Sequence, residues 1–143
     1  MKIAIINGPN LNLVGVREPE IYGDKSFDEY IPELKSLFPD HTISYFQSNH
    51  EGAILDELQR IGFDHDAIIL NAGGLTHTSI VLGDCVKGIS TPVIEVHISN
   101  IHEREDYRKH SYVTKPSAHF IHGKGMDGYR LALEWAVGSI HLS

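Results

Sequence analysis

Lys2-Ile-Ala-Ile-Ile-Asn7-Gly-Pro-Asn10-Leu-Asn-Leu-Val-Gly15-Val-Arg17-Glu-Pro-Glu-Ile-Tyr22-Gly23 holds the two features on which the reading of this chain rests. Its first part, Lys2–Ile6, is short, branched and aliphatic, the pattern of a strand buried on both faces. From Asn7 to Gly23 the chain then shows neither a helical nor a strand period. Structureless loops of that length are uncommon in compact domains and usually functional. The loop carries prolines and glycines that fix its path, and asparagines that offer neutral hydrogen-bonding groups. Arg17 and Tyr22 are its groups suited to acid–base chemistry.

Outward from that stretch, apolar runs alternate with amphipathic ones. After the strand at 2–7, Ser26 with Glu29 three residues on reads as a capping box opening a helix. Phe27, Tyr30, Ile31, Leu34, Leu37 and Phe38 then recur at helical spacing, with Pro32 inside the pattern as a possible kink. Thr42–Gln47 reads as a strand. A helix follows Asn49, with Ile54, Leu55, Leu58 and Ile61 on one face and Gly62 as its stop. Ala67–Leu70 is a uniformly apolar strand. A helix beginning near Thr76 or Thr78 runs to about Lys87. Val93–Ile98 is a strand, residues 102–110 are polar with one helical turn, and Ala118–Ile121 is a short strand. The last helix covers about 127–141, with Tyr129, Ala132, Leu133, Ala136, Val137 and Ile140 on one face; Leu131 and Trp135 lie off that stripe and read equally as isolated surface residues or as a subunit contact.

Strict alternation of strand and helix with apolar strands implies one α/β domain over residues 1–143: a doubly wound parallel sheet with helices on both faces. Five strands at this length fit the flavodoxin-like order 2-1-3-4-5. In such sheets ligands bind outside the carboxyl ends of the strands, where the strand order switches. Strand 1 is followed by Asn7, Asn10 and the long loop. Strand 3 is followed by Asn71 and His77. Strand 4 carries Glu95 and His97, and runs on to Ser99, Asn100 and His102. The fold therefore brings Asn10, Asn71, His77, His97 and Ser99 to one cleft. Glu95, two residues before His97, shares its side of the strand and is placed to orient it.

Charge and composition exclude other classes. The formal net charge is −7 with no block of Lys or Arg, a poor match to nucleic acid or an anionic membrane. An anionic small molecule would need local positive groups or helix N-termini. No apolar run approaches the roughly 20 residues of a bilayer span. The single cysteine, Cys85, and the absence of a signal pattern point to a reducing, cytoplasmic setting. The loop after strand 1 lacks the glycine, serine and threonine run of a phosphate cradle, which argues against a nucleotide or flavin. The pairs His97/His102 and His119/His122 lack the further ligands of a metal site. His41, His65, His110, His119, His122 and His141 read as surface or hydrogen-bonding residues. By spacing alone Arg17 reads as a solvated charge, Tyr22 as a packing residue and Asp84 as part of a solvated helix face.

The motifs Asn7-Gly-Pro-Asn10-Leu-Asn and Gly15-Val-Arg17-Glu-Pro19-Glu-Ile-Tyr22-Gly23 resemble the signature of the type II 3-dehydroquinate dehydratases. The likeness continues through Gln47-Ser-Asn-His-Glu-Gly52, Thr76-His-Thr-Ser79, Val96-His-Ile-Ser-Asn100 with Glu103 and Arg108, and Gly123-Lys-Gly125 to Gly128-Tyr129. It covers nearly the whole chain, in order. The resemblance implies a flavodoxin-like fold, no cofactor, and a homo-dodecamer built as four trimers. It implies conversion of 3-dehydroquinate to 3-dehydroshikimate by anti elimination through an enolate. By resemblance Tyr22 is the base, His97 the general acid, Arg17 the cation that favours the tyrosinate, and Asn10 a holder of the water facing the enolate oxygen. Asn71, His77 and Arg108 would contact substrate hydroxyls. Ser99 and the backbone of Ile98 would take its carboxylate, and Asp84 would reach into the neighbouring subunit's site. The competing reading is a binding module of the same fold that has lost the reaction.

Overall fold

The structure is a computed structural model and describes residues 1–16, 20 and 25–140. The strands β1 (Lys2–Asn7), β2 (Thr42–Gln47), β3 (Ala67–Asn71), β4 (Val93–His97) and β5 (His119–His122) form one five-stranded sheet in the order β2-β1-β3-β4-β5. Every pairing is parallel, with Ile5 beside both Tyr45 and Ile69, and Ile69 beside Ile94. The helices that cover it are α1 (Phe27–Leu37), α2 (Glu51–Ile61), α3 (Ile80–Gly88) and α4 (Asp127–Ser139). The expected flavodoxin-like α/β architecture and strand order are therefore present.

The strand pleat sorts the core into two layers, because successive side chains leave a strand on opposite faces. Ile3, Ile5, Ile69, Ile94 and Val96 pack on α1 and α4 through Phe27, Ile31, Leu34, Tyr129, Leu133 and Ala136. Ala4, Ile6, Ile68, Leu70 and Val93 pack on α2 and α3 through Ile54, Leu58, Ile61, Leu82 and Val86. Both faces of β1, β3 and β4 are thus buried, which is why these strands read as unbroken apolar runs.

Element ends differ from the sequence reading in instructive ways. α1 begins where expected: the Ser26 hydroxyl accepts the Glu29 backbone N–H at 3.3 Å, and the helix runs through Pro32 to Leu37. α3 starts later than expected, because Ser79 rather than Thr76 or Thr78 caps it, accepting the Leu82 N–H at 3.0 Å. Residues 73–77 form a separate 3-10 turn. Gly62 does end α2, but with φ −70°, so the left-handed argument for it fails. Its reason is space: a Cβ there would lie 2.5 Å from the Leu58 carbonyl oxygen and 2.6 Å from the Ile89 side chain. The single turn expected over 102–110 is two 3-10 turns, Ile101–Glu103 and Asp106–Arg108. Leu37 and Val137, expected on buried stripes, are exposed. Trp135, expected off the stripe, packs on the core and stacks on His119 with ring centroids 4.5 Å apart. Among the described residues no helix is long and apolar enough to cross a membrane.

Candidate active site

A cleft of about 110 Å³ opens where β1, β3 and β4 end, at the switch in strand order. It is lined by all five residues that the topology was expected to gather, Asn10, Asn71, His77, His97 and Ser99, and by Ile98 and Arg108. Glu95 lies behind His97. Asp84 is exposed on α3 and does not line the cleft of its own chain. Arg17 and Tyr22 lie outside the described residues.

His97 and Glu95 form the chemically most telling pair. Both are buried, at 5 % and 0 % exposure. His97 Nε2 donates to Glu95 Oε2 at 2.6 Å, which leaves Nδ1 as the ring nitrogen available to a ligand. The carboxylate is further held by the Ser111 hydroxyl at 2.8 Å and by the Thr114 hydroxyl on its other oxygen. Ser111 itself accepts the backbone N–H groups of Val113 and Thr114, so its own proton is directed at Glu95. Burial pushes the Glu95 carboxyl upward, but the hydrogen bond and charge of His97 with the two hydroxyls outweigh it and hold the group below its ordinary value. An ionised carboxylate in a dry site thus has every donor it needs, and it fixes the orientation and tautomer of the imidazole.

His77 sits across from this pair, its ring 6.4 Å from that of His97 and tilted by 23°. Its Nδ1 donates to the His110 carbonyl at 2.7 Å. Burial lowers its pKa and outweighs that hydrogen bond, so the ring is neutral at pH 7 and Nε2 is an acceptor. A neutral histidine of this kind suits a hydroxyl donor on a ligand.

Among the described residues, the cleft's positive charge comes from Arg108 and from Arg104, a cleft residue that the sequence reading did not select. Arg104 approaches the Ser99 hydroxyl at 3.5 Å. Both guanidiniums approach Glu105, at 3.8 Å from Arg104 and 3.0 Å from Arg108. The signal for Arg104 was its place just past strand 4 in a chain otherwise rich in acid.

The β1 end of the cleft is braced from two sides. Asn10 adopts the left-handed conformation, φ 71°, that asparagine tolerates better than most residues. Its backbone N–H donates to Asn49 Oδ1 at 3.0 Å, and Gln47 Nε2 donates to the same oxygen and to the Gly8 carbonyl, each at 3.2 Å. Gly8 lies so close to the β3 loop that a Cβ would meet the Ala72 carbonyl oxygen at 2.4 Å. Asn71, at the end of β3, donates through Nδ2 to the buried Tyr129 hydroxyl at 2.9 Å and accepts the Gly73 N–H at 3.1 Å.

Comparisons with known proteins converge on one group. The model of the family described as Dehydroquinase class II matches residues 1–137. A 3-dehydroquinate dehydratase of Clostridium beijerinckii is 51% identical over 138 residues, covering 94% of this chain and 94% of the relative. One from Prochlorococcus marinus is 45% identical over 144 residues, covering 99% of this chain and 98% of the relative. Among solved structures, the type II dehydroquinase of Butyrivibrio crossotus superposes with a TM-score of 0.92 at 38% identity, covering 96% of this chain and 97% of that one. A cleft with a buried Glu–His pair and two arginines, on this fold and over nearly the full length of such relatives, leads to one conclusion: the chain belongs to the class II dehydroquinase family.

Proposed function

We propose that this protein removes water from 3-dehydroquinate to give 3-dehydroshikimate, as a hydro-lyase of the shikimate pathway. The observation that carries the reading is the Glu95–His97 pair. It is a buried imidazole on an ionised carboxylate, opening on a cleft with two arginines, in a chain of this family.

The roles follow the family resemblance of the motifs, and the chemistry is consistent with them. The substrate carries a carboxylate, hydroxyls and a ketone. Arg108, His77 and Asn71 take hydroxyls, and Ser99 with the backbone of Ile98 takes the carboxylate. Tyr22, as tyrosinate, removes a proton from the carbon next to the ketone. A free tyrosine titrates near pH 10, so the phenolate needs a cation beside it, and Arg17 is that cation. The electrons of the broken C–H bond move into the ketone, forming an enolate whose oxygen faces a water held by Asn10. The enolate then collapses. Its electrons form the new C=C bond and expel the hydroxyl, which takes a proton from His97 and leaves as water, on the face opposite the lost proton. Glu95 stabilises the charge that His97 carries before it gives up that proton. The steps involve proton transfers and loss of water with no net oxidation or reduction, so they call for no redox cofactor.

Asp84, exposed on α3, reaches the site of a neighbouring subunit, and the assembly is a dodecamer of four trimers. The test is ultraviolet absorbance of a 3-dehydroquinate solution after adding protein, because the product is a conjugated carboxylate and the substrate is not. A steady rise, insensitive to borohydride, is expected. A flat trace from folded protein, or borohydride inactivation that depends on substrate, would overturn the reading, the latter by pointing to a lysine Schiff base.

A further inference from the structure

Behind Asn71, beneath the cleft floor, runs a chain of hydrogen bonds whose other members the proposed reaction does not use. Asn71 Nδ2 donates to the Tyr129 hydroxyl at 2.9 Å. That hydroxyl donates to Asn7 Oδ1 at 2.7 Å, and Asn7 Nδ2 donates to the Tyr45 hydroxyl at 3.2 Å. Asn7, Asn71 and Tyr129 are buried to 0 %, 3 % and 0 % exposure. The members come from β3, α4, β1 and β2, so the chain crosses the sheet at its carboxyl edge.

The proton order in this chain admits one arrangement. A phenol has one proton, and Tyr129 gives it to Asn7. Tyr129 can then only accept from Asn71, so Asn71 must turn its NH2 group toward the phenol. The other end enforces the same choice, because the Gly73 N–H donates to Asn71 Oδ1 at 3.1 Å. An Asn71 amide turned the other way would set NH2 against the Gly73 N–H and oxygen against a phenol whose proton is committed elsewhere. Burial drives the Tyr129 hydroxyl far above its ordinary value, so it stays protonated throughout the working pH range. Asn71 lines the cleft, and beyond these two bonds its amide has one NH2 proton and one oxygen lone pair left to offer.

We propose that Tyr129 is a positioning residue for substrate recognition: together with the Gly73 N–H it holds the Asn71 amide in one orientation, and so presents the second NH2 proton of Asn71 to a hydroxyl oxygen of the ligand. This rests on the proposed reaction for its ligand, 3-dehydroquinate. Tyr129 touches no substrate itself and acts only through Asn71. The phenol stays close in shape when replaced by phenylalanine, and its ring keeps its edge contact with Phe27, centroids 5.2 Å apart. What is lost is the hydroxyl alone.

The experiment is a double-mutant cycle on KM and kcat for 3-dehydroquinate, with melting curves, using wild type, Tyr129→Phe, Asn71→Ala and the double variant. Tyr129→Phe is expected to raise KM roughly two- to tenfold, the worth of one neutral hydrogen bond, with kcat little changed. In the Asn71→Ala background the same substitution is expected to leave KM unchanged while still lowering the melting temperature. Asn7→Ala, which removes the acceptor of the phenol proton, carries the same expectation if Tyr129→Phe does not fold. An equal KM effect in both backgrounds, or a lower melting temperature with wild-type KM, overturns the inference. Wild-type protein without turnover overturns the proposed reaction, and the inference with it.

Discussion

Glu95→Gln isolates charge from shape at the centre of the proposed site. Glu95 Oε2 accepts from His97 at 2.6 Å and Ser111 at 2.8 Å, while Oε1 accepts from Thr114. A glutamine oxygen in the Oε2 position keeps the first two bonds. Its NH2 group then faces Thr114, whose hydroxyl can turn to accept. Packing and hydrogen-bond count survive, and the negative charge beside His97 is gone. A hydrogen bond to a charged group contributes about 1.5–3 kcal/mol and a neutral one about 0.5–1.5, so the change removes about 1–2 kcal/mol. If His97 acts as the charged acid in the transition state, kcat falls roughly 5- to 30-fold. The assay is the initial rate of product absorbance at saturating 3-dehydroquinate, with a melting curve to show that the variant is folded. A kcat within twofold of wild type, or a loss confined to KM, would refute the assignment of His97 as an acid held by Glu95.

The same carboxyl shapes acid stability. Its folded pKa is depressed from the ordinary 4.5, so its stabilising contribution is present above about pH 4.5 and is lost as pH falls through the folded value. Melting temperatures measured from pH 7 downward should show the gap between wild type and Glu95→Gln narrowing below pH 4.5; a constant gap would contradict this. Gly83→Ala should destabilise, because the new Cβ would meet the Tyr112 carbonyl oxygen at 2.4 Å. That overlap, on the order of 1–3 kcal/mol, outweighs the roughly 1 kcal/mol gained in helix propensity, and a raised melting temperature would reverse the reasoning. Asp84→Ala, at an exposed position, should raise KM several-fold while leaving the melting temperature within a degree or two of wild type; unchanged KM would remove Asp84 from the neighbouring site.

The strands were legible because burial on both faces writes itself as consecutive aliphatic residues, as in Ile3–Ile6 and Ile68–Leu70. Strand order came from the fit of five alternating strands at this length to the flavodoxin-like arrangement, and with it came the cleft and the five residues gathered there. The Glu95–His97 contact followed from strand alternation alone. What escaped was decided by distant parts of the chain. Ser111 and Thr114 reach Glu95 from a loop without regular structure. Gln47 and Asn49 brace the loop after β1 from the neighbouring strand's end. Tyr129 looked like any core residue on a helical stripe, since periodicity reports which face is buried and not what a hydroxyl meets there. Gly62 looked like a helix stop, whereas its reason is the closeness of Ile89, which a local pattern does not encode. The roles of Arg17 and Tyr22 came from the motif that carries them and not from any geometry.

The most direct measurement is a crystal structure of Tyr22→Phe with 3-dehydroquinate bound, since that variant should bind substrate without turning it over. The account predicts the substrate in the cleft at the ends of β1, β3 and β4. Its carboxylate should lie on Ser99 and the Ile98 backbone, with the departing hydroxyl within about 3.2 Å of His97 Nδ1, and residue 22 on the opposite face. Substrate bound elsewhere, or bound there with its departing hydroxyl turned away from His97, would contradict it.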